Sequence, residues 1–283
     1  MTAVSSPSRL RASGKRRSPR PPAPPLRGRV KWWGAVAAEV VILLALWELA
    51  VGTLELIDPE FFPPPSAIVG SLADLASGGR LLPHLLFSLQ SFAIGYLLAV
   101  VLGITLGIML GGSPLLNLLL GPFVWVLYAT PKVAFAPLLV LWLGFGVESK
   151  VFMVLFMAIF PIIVNTVEGL QTVDPSLLRA GRVYGAGRLA LTVKVILPSM
   201  LPFVLVGLQV GIVRGFIGVV IGEFMGSTQG LGILLSQSAS MFQMADALAV
   251  VAILILLSNS AMGILMAVKR VVAPWHKPGG DLL

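Results

Sequence analysis

Apolar residues along this chain run in long blocks separated by short polar or Gly/Pro-rich breaks. A helix needs roughly 20 mostly apolar residues to cross about 30 Å of hydrocarbon. Blocks of that length fall at about 34–54, 85–110, 115–143, 151–170, 197–221 and 245–268; the third contains Pro131 and Pro137. The pattern predicts an all-α polytopic membrane protein with about six transmembrane helices. Its organisation reads as a tail over 1–33, a transmembrane domain over 34–270 and a short tail over 271–283.

Between the first two blocks, Phe61-Phe62-Pro63-Pro64-Pro65 is stiff, because proline fixes φ. Ser66 is placed to cap a short helix through Leu75, with Ala67, Ile68, Leu72 and Leu75 on one side. Small residues recur every fourth position in the second block: Ser91, Gly95, Ala99, Gly103, Gly107 and Gly111. The fifth block repeats the device with Gly207, Gly211 and Gly215, then Gly218, Gly222 and Gly226. Such stripes let helix backbones approach closely in lipid and predict a tight bundle.

Composition turns this pattern into an exclusion. Of 283 residues, 57% are hydrophobic and only 11% charged, and the mean hydropathy is +0.96. Soluble domains carry about 25% charged residues, so this chain has too little polar surface to dissolve as a globule. Cysteine is absent, which removes disulfides, thiolate metal sites and a Cys nucleophile. His84 and His276 fall outside the expected spans, at loop or interfacial positions, and predict no metal site. The chain also lacks a phosphate-cradling G-x-x-x-x-G-K-[ST] loop, so any ATP and its magnesium would be bound by a partner.

A net charge of +8 raises nucleic acid as a partner, but its distribution points to a membrane instead. Arg9, Arg11, Lys15, Arg16, Arg17, Arg20, Arg27, Arg29 and Lys31 precede the first span, in a Pro- and Ser-rich segment expected to be disordered. These residues would hold the N-terminus in the cytoplasm and touch anionic lipid. A cleaved signal peptide is not expected, since the basic region is too long and no cleavage site follows a short apolar core. With the N-terminus inside, sixteen of the twenty basic residues lie in cytoplasmic segments. Arg80 and Lys150 fall outside, and Lys132 and Arg214 within spans. Both termini and the 174–198 segment are then cytoplasmic.

Charges inside a membrane are costly and usually face a protein interior or a water-filled cavity. Glu39, Glu48, Lys132, Glu168, Arg214 and Glu223 are such positions; Glu39 and Glu168 lie near span ends. Arg214 and Glu223 sit about 180° apart round one helix, so they cannot pair within it. Two readings stand. Lys132 and Arg214, with Glu48 and Glu223, line a translocation path that favours an anionic group. Alternatively, the two cations pair with Glu48 or Glu223 and lock the bundle.

The most distinctive stretch runs from Asp174 to Pro198. Asp174 is placed to cap a helix and Pro175 suits its first position. Leu177, Leu178 and Ala180 form an apolar side, while Arg179 and Arg182 face water or a partner. Gly185, with Gly187 behind it, ends the helix by accepting φ > 0. A second short helix follows from about Arg188, and Leu197-Pro198 leads into the next span. Two short helices around a glycine elbow suit docking to a soluble partner. Catalysis is not indicated, because the segment holds no His, Cys or Ser/Asp constellation.

The spacing of Ala180-Gly181, Gly185 and Ile196-Leu197-Pro198 resembles the coupling loop of ABC-importer permeases. That family reads Glu-Ala-Ala, then Gly, then Ile-x-Leu-Pro; here Arg179 replaces the Glu and Gly181 the second Ala. Val213-Arg214-Gly215-Phe216-Ile217-Gly218, Ile221-Gly222-Glu223 and Gly230-Leu231-Gly232 resemble its sulfonate-, taurine- and nitrate-type subfamily. So do Tyr128-Ala129-Thr130-Pro131, Pro137-Leu138 and Leu141-Trp142-Leu143-Gly144. The resemblance covers about residues 62–270. It implies a non-enzymatic permease subunit in a bacterial cytoplasmic membrane, usually paired with an identical copy. It also implies two copies of an ABC ATPase, which contact the elbow through Asp174, Arg179, Ala180, Gly181, Arg182, Gly185, Arg188, Leu197 and Pro198. An extracytoplasmic solute-binding protein would deliver a small, anionic solute. An ion-gradient-driven secondary transporter is the alternative; its mark, an inverted repeat with paired broken helices, is not evident. An intramembrane enzyme would need a nucleophile–base set that the spans lack.

The natural absence of cysteine makes the topology directly testable. Single cysteines introduced between 174 and 198 are expected to react with a membrane-impermeant maleimide only after the cytoplasmic face is opened. Reaction in intact cells would reverse the orientation.

Overall fold

The computed structural model describes residues 26–274, with side chains from residue 34 onward. Every regular element among the described residues is helical. Residues up to Trp47 form one unit and residues from Glu48 another. The first unit holds most of α1 (Leu26–Glu48). This helix starts at Leu26, ahead of the expected span boundary at Gly34. The remainder of the basic tail lies outside the described residues, as do His276 and Lys277.

The second unit opens with a π turn at Leu49–Thr53 and α2 (Pro65–Ser77). It continues with α3 (Leu81–Gly112), α4 (Pro114–Ala129) and α5 (Ala136–Leu143). Then come α6 (Val147–Gln171), α7 (Pro175–Val183), α8 (Arg188–Leu191) and α9 (Leu197–Phe224). The last two helices are α10 (Leu231–Ser240) and α11 (Met244–Val272). Five segments are long and apolar enough to span a bilayer, and six if α4 and α5 together make one.

The third expected span is not continuous. Its two halves meet at 86°, joined by the 3₁₀ turn Lys132–Phe135. The break falls at Thr130-Pro131. Proline pushes the residue before it out of helical conformation, and Thr130 is extended (φ −64°, ψ 136°). Pro137 breaks nothing, because it sits in the first turn of α5, where a missing N–H costs no helical bond. Helix α2 also begins differently from expectation. Pro64 is its N-cap and Ser66 lies inside its first turn, so Ser66 is not the cap. Leu75 is buried, with Ile68 and Leu72 packed against the same cluster, while Ala67 is exposed.

At the centre of the second unit α6 lies between α3 and α9, and glycines set the spacing on both sides. A Cβ on Gly95 would stand 2.6 Å from the Val151 carbonyl oxygen, and one on Gly107 would stand 2.5 Å from Thr166 Cβ. Gly103 meets Ile162, and Gly111 meets Leu170, in the same way. From α9, Gly207 lies against Pro161 and Asn165, Gly211 against Ile162 and Tyr96, and Gly215 against Phe92 and Val154. The three helices enclose a cluster of Phe92, Val154, Ile212, Phe216 and Val219. Phe92 stacks on Phe216 at 4.1 Å between centroids, and Tyr96 donates to the Leu208 carbonyl at 2.9 Å. Toward the Leu81 end of α3, α2, α10 and α11 share a second cluster built on Leu75, Leu231, Leu234, Ala249 and Val250.

Adding a large side chain to this interface forces the backbones apart, and overpacking costs typically about 1–3 kcal/mol or more. Gly107→Leu is expected to lower the unfolding midpoint in detergent. Gly263→Leu, where a Cβ meets nothing within 4 Å, should leave it within error.

Candidate functional site

The elbow forms as a capped, closed unit. The Asp174 carboxylate accepts from the Ser176 N–H at 2.7 Å, and Pro175 fills the first helical position. These backbone and side-chain contacts with Ser176, followed by the positive charge of Arg179, hold the exposed Asp174 carboxyl below the usual carboxylate range. At the other end of α7 the Gly185 N–H donates to the Arg182 carbonyl and the Ala186 N–H to the Gly181 carbonyl. That pair of bonds is a Schellman closure, and it requires the left-handed conformation that Gly185 adopts at φ +77°. Gly187 is extended and begins α8.

Gly181 has a packing role that its sequence position does not reveal. A Cβ there would lie 2.5 Å from Leu191 Cδ2, and Leu191 is buried. The replacement of the second Ala by Gly is therefore matched by a leucine filling the space. From α8 the chain continues through a π turn, Thr192–Ile196, into Leu197, Pro198 and α9. Arg179, Ala180, Arg182 and Arg188 are all exposed. So is an apolar tip absent from the expected contact set: Val183 is 84% exposed, Tyr184 89% and Leu189 78%. Their position beside the glycine turn was the available signal, since a tight turn pushes its flanking side chains outward.

A second site forms at the break between α4 and α5. Tyr128, Thr130, Pro131, Lys132, Met157, Pro161 and Arg214 are among the residues lining a cavity of about 340 Å³. Lys132 is only 9% exposed, and its Nζ donates to the Tyr128 carbonyl at 2.9 Å. The same ammonium lies 5.0 Å from the Phe160 ring centroid and 5.6 Å from that of Tyr128. Arg214 is exposed on α9 and makes no ion pair within the described residues. The structure thus brings Lys132 and Arg214 to one cavity whose lining contains no carboxylate.

Glu48 and Glu223 lie elsewhere and are engaged elsewhere. Glu48 accepts from the Ser66 N–H at 3.0 Å and from its hydroxyl at 2.7 Å. Glu223 is fully buried; it accepts from Ser88 Oγ and from the Gly232 N–H, each at 2.6 Å. Ser88 Oγ also accepts from the Leu231 N–H at 2.7 Å, so one carboxylate and one hydroxyl fasten the α9–α10 turn onto α3. Gly230, at φ +122°, admits this carboxylate, since a Cβ would stand 2.2 Å from Glu223 Cδ. Neither acid pairs with Lys132 or Arg214, so the expected ion-pair lock between them does not form.

Two other expectations change. Lys150 is not a loop residue: α6 begins at Val147, and Lys150 is fully buried. Its Nζ donates to the carbonyls of Phe145 (2.8 Å) and Gly226, with Glu223 in electrostatic reach. His84 belongs to α3, where Nδ1 lies 3.0 Å from both the carbonyl oxygen and the amide nitrogen of Gly230. No cluster of ligating side chains suited to a metal occurs among the described residues.

Residues 82–275 match the family described as binding-protein-dependent transport system inner membrane component. The chain is 34% identical over 265 residues to the taurine transport system permease protein of Escherichia coli K12; the alignment covers 88% of this chain and 94% of that one. It is 33% identical over 219 residues to a putative aliphatic sulfonates transport permease protein of Bacillus subtilis 168, covering 77% and 79%. A formylaminopyrimidine transport permease protein of Halalkalibacterium halodurans is 29% identical over 237 residues, covering 84% and 94%.

The Asp174 cap carries a pH signature. A carboxyl whose folded value is lowered stabilises the fold fully above its unfolded value and loses that contribution as pH falls through the lowered value. Amide protection over 175–183, taken relative to the intrinsic exchange rate at each pH, is expected to fall on acidification below the usual carboxylate range. Asp174→Asn, which can still cap, should remove that acid dependence; persistence of the dependence in the variant would assign it to another group.

Proposed function

We propose, from the chain's membership of the family of binding-protein-dependent transport system inner membrane components and so from its place as a multi-pass permease of an ABC importer, that the 174–198 elbow is the handle by which an ATPase partner drives solute movement. The family implies both an ATPase and a solute-binding protein. The observation that carries the proposal is the built form of the elbow. It is capped at Asp174, closed at Gly185 and packed through Gly181 and Leu191, and it displays Val183, Tyr184 and Leu189 to solvent. An exposed apolar tip on a rigid segment between two spanning helices is suited to fill a groove on a soluble subunit. Arg179, Arg182 and Arg188 surround it with positive charge, which calls for acidic residues on the ATPase surface.

Two copies of the chain, each gripped by one ATPase, would enclose the path. The transmembrane domain over 34–270 is flanked in this reading by cytoplasmic tails. The exposed apolar surfaces of α4 and α5, including Leu118, Phe123, Leu141 and Trp142, supply area for lipid and for the second copy. The cavity at the α4–α5 break, with Lys132 and Arg214 and no carboxylate, serves as the part of the path that favours an anion. A small sulfonate-, taurine- or nitrate-like solute suits that chemistry, in line with the names of the relatives. Glu48 and Glu223, engaged with serine and backbone donors, act as fasteners rather than solute contacts. ATP-driven movement of the elbows tilts α6 and α9 and alternates access to the cavity.

Truncating a central interface aromatic costs roughly 2 kcal/mol or more, about thirtyfold in Kd. Tyr184→Ala is expected to weaken association with the purified ATPase by about that factor. Gly185→Val, which strains the closure, should leave ATP hydrolysis running while solute uptake into proteoliposomes falls. Undiminished uptake in both variants would show that the elbow does not carry the coupling.

A further inference from the structure

Lys132 poses an electrostatic problem that the elbow and cavity do not by themselves resolve. A cation this buried within a membrane bundle ordinarily requires a carboxylate partner, and among the described residues none lines its cavity, where Arg214 is the other charged side chain. Its ammonium carries three N–H donors, of which one is committed, to the Tyr128 carbonyl. The remaining environment is aromatic. Phe160, on α6, is buried and presents its ring 5.0 Å from Nζ; the Tyr128 ring lies at 5.6 Å. Both distances fall within the roughly 6 Å over which a ring face attracts a cation.

The rings are themselves anchored. Phe160 meets Phe156 at 5.7 Å between centroids and 77° between planes. Phe156 meets Phe135 at 5.6 Å and 79°. Phe135 belongs to the same 3₁₀ turn as Lys132. The aromatic series therefore leaves the Lys132 turn, crosses to α6 and returns to the ammonium, fixing both ends of the lysine's segment against one helix.

We propose that Phe160 is a positioning residue for anion recognition, with Tyr128 in support: its ring face holds the Lys132 ammonium at the cavity wall in place of a counter-ion. The physical distinction from an ion pair is decisive. A carboxylate would cancel the charge, whereas a ring quadrupole steadies the ammonium and leaves its charge uncancelled. The cavity then keeps two uncompensated cations, Lys132 and Arg214, and an incoming anionic headgroup supplies the missing negative charge. Lys132 is held in place and Arg214, exposed and without an ion pair among the described residues, adapts to the ligand. This inference rests on the reading of the cavity as the anion path and adds the group that makes its lysine usable.

The test is uptake by the permease reconstituted with its ATPase and binding protein, using whichever of taurine, short alkanesulfonates and nitrate is imported fastest. Phe160→Leu keeps apolar bulk but removes the ring face; it should raise KM about tenfold, the scale of a desolvated cation–ring contact, with kcat little changed. Phe160→Tyr, which restores a ring, should recover most of the affinity, and the unfolding midpoints of both variants should show them folded. Lys132→Met should raise KM at least as far. If Lys132→Met raises KM while Phe160→Leu stays within twofold of the parent, the positioning role is refuted and the anion path stands. If Lys132→Met has no effect, or none of these anions is imported, the path reading fails and takes the inference with it. A Phe160→Tyr variant as impaired as Phe160→Leu would likewise overturn the role of the ring.

Discussion

Backbone-to-backbone approach along α6 is the constraint on which the rest of this structure depends. In a lipid environment apolar side chains gain nothing by leaving lipid for protein, so helices associate through close packing and interhelical hydrogen bonds. Small residues at every fourth position of α3, glycine at 95, 103, 107 and 111, and the glycines of α9 strip bulk from both faces that meet α6. The Val151, Pro161 and Met153 carbonyl oxygens would stand only 2.6, 3.1 and 3.1 Å from a Cβ placed on Gly95, Gly207 and Gly218. A bundle built this way is closely packed along its central helix.

The elbow is joined directly to that closely packed core. Helix α6 ends at Gln171, just before the Asp174 cap, and α8 runs through a π turn into α9. Both connections lead into the helices that the glycines hold together. A π turn adds a residue to the helical ring and often marks a functional joint. The elbow therefore joins two closely packed helices, and one of the two connections, Thr192–Ile196, is a π turn. This arrangement gives a physical route by which displacement of an exposed tip could reorient spans.

Buried charge is handled in two opposite ways. Where α3, α6, α9 and α10 meet, Glu223 and Lys150 each hold two hydrogen bonds, from Ser88 and Gly232 and to the carbonyls of Phe145 and Gly226, and lie in electrostatic reach of each other. Unpaired buried charges are expensive, so satisfied groups of this kind secure the fold. At the α4–α5 break Lys132 and Arg214 are of one sign, and Lys132 is held by rings and a single carbonyl. An incomplete charge arrangement in an open cavity is suited to a ligand. The contrast separates fastening from recognition more clearly than the presence of an ionisable residue in a span could.

The sequence by itself determined the helical class, the approximate spans, the glycine stripes and the elbow with its cap and φ > 0 turn. Each is written in local chemistry: run length, spacing of four, an Asp-Pro pair and a glycine. The residue types at Lys132 and Arg214 also marked them for inspection, because charge in an apolar block is visible without coordinates. Only the tertiary structure decided what those charges face. The 86° break at Thr130-Pro131, the aromatic seat of Lys132, the burial of Lys150 and the fastening of Glu223 by Ser88 all depend on segments far apart in the chain. Gly181 shows the same division: its identity was legible as a departure from a pattern, but the Leu191 side chain that fills its space is a neighbour only in three dimensions. Periodicity reports which face of a helix is apolar, whereas compensation of a charge is a property of the partners that folding places around it.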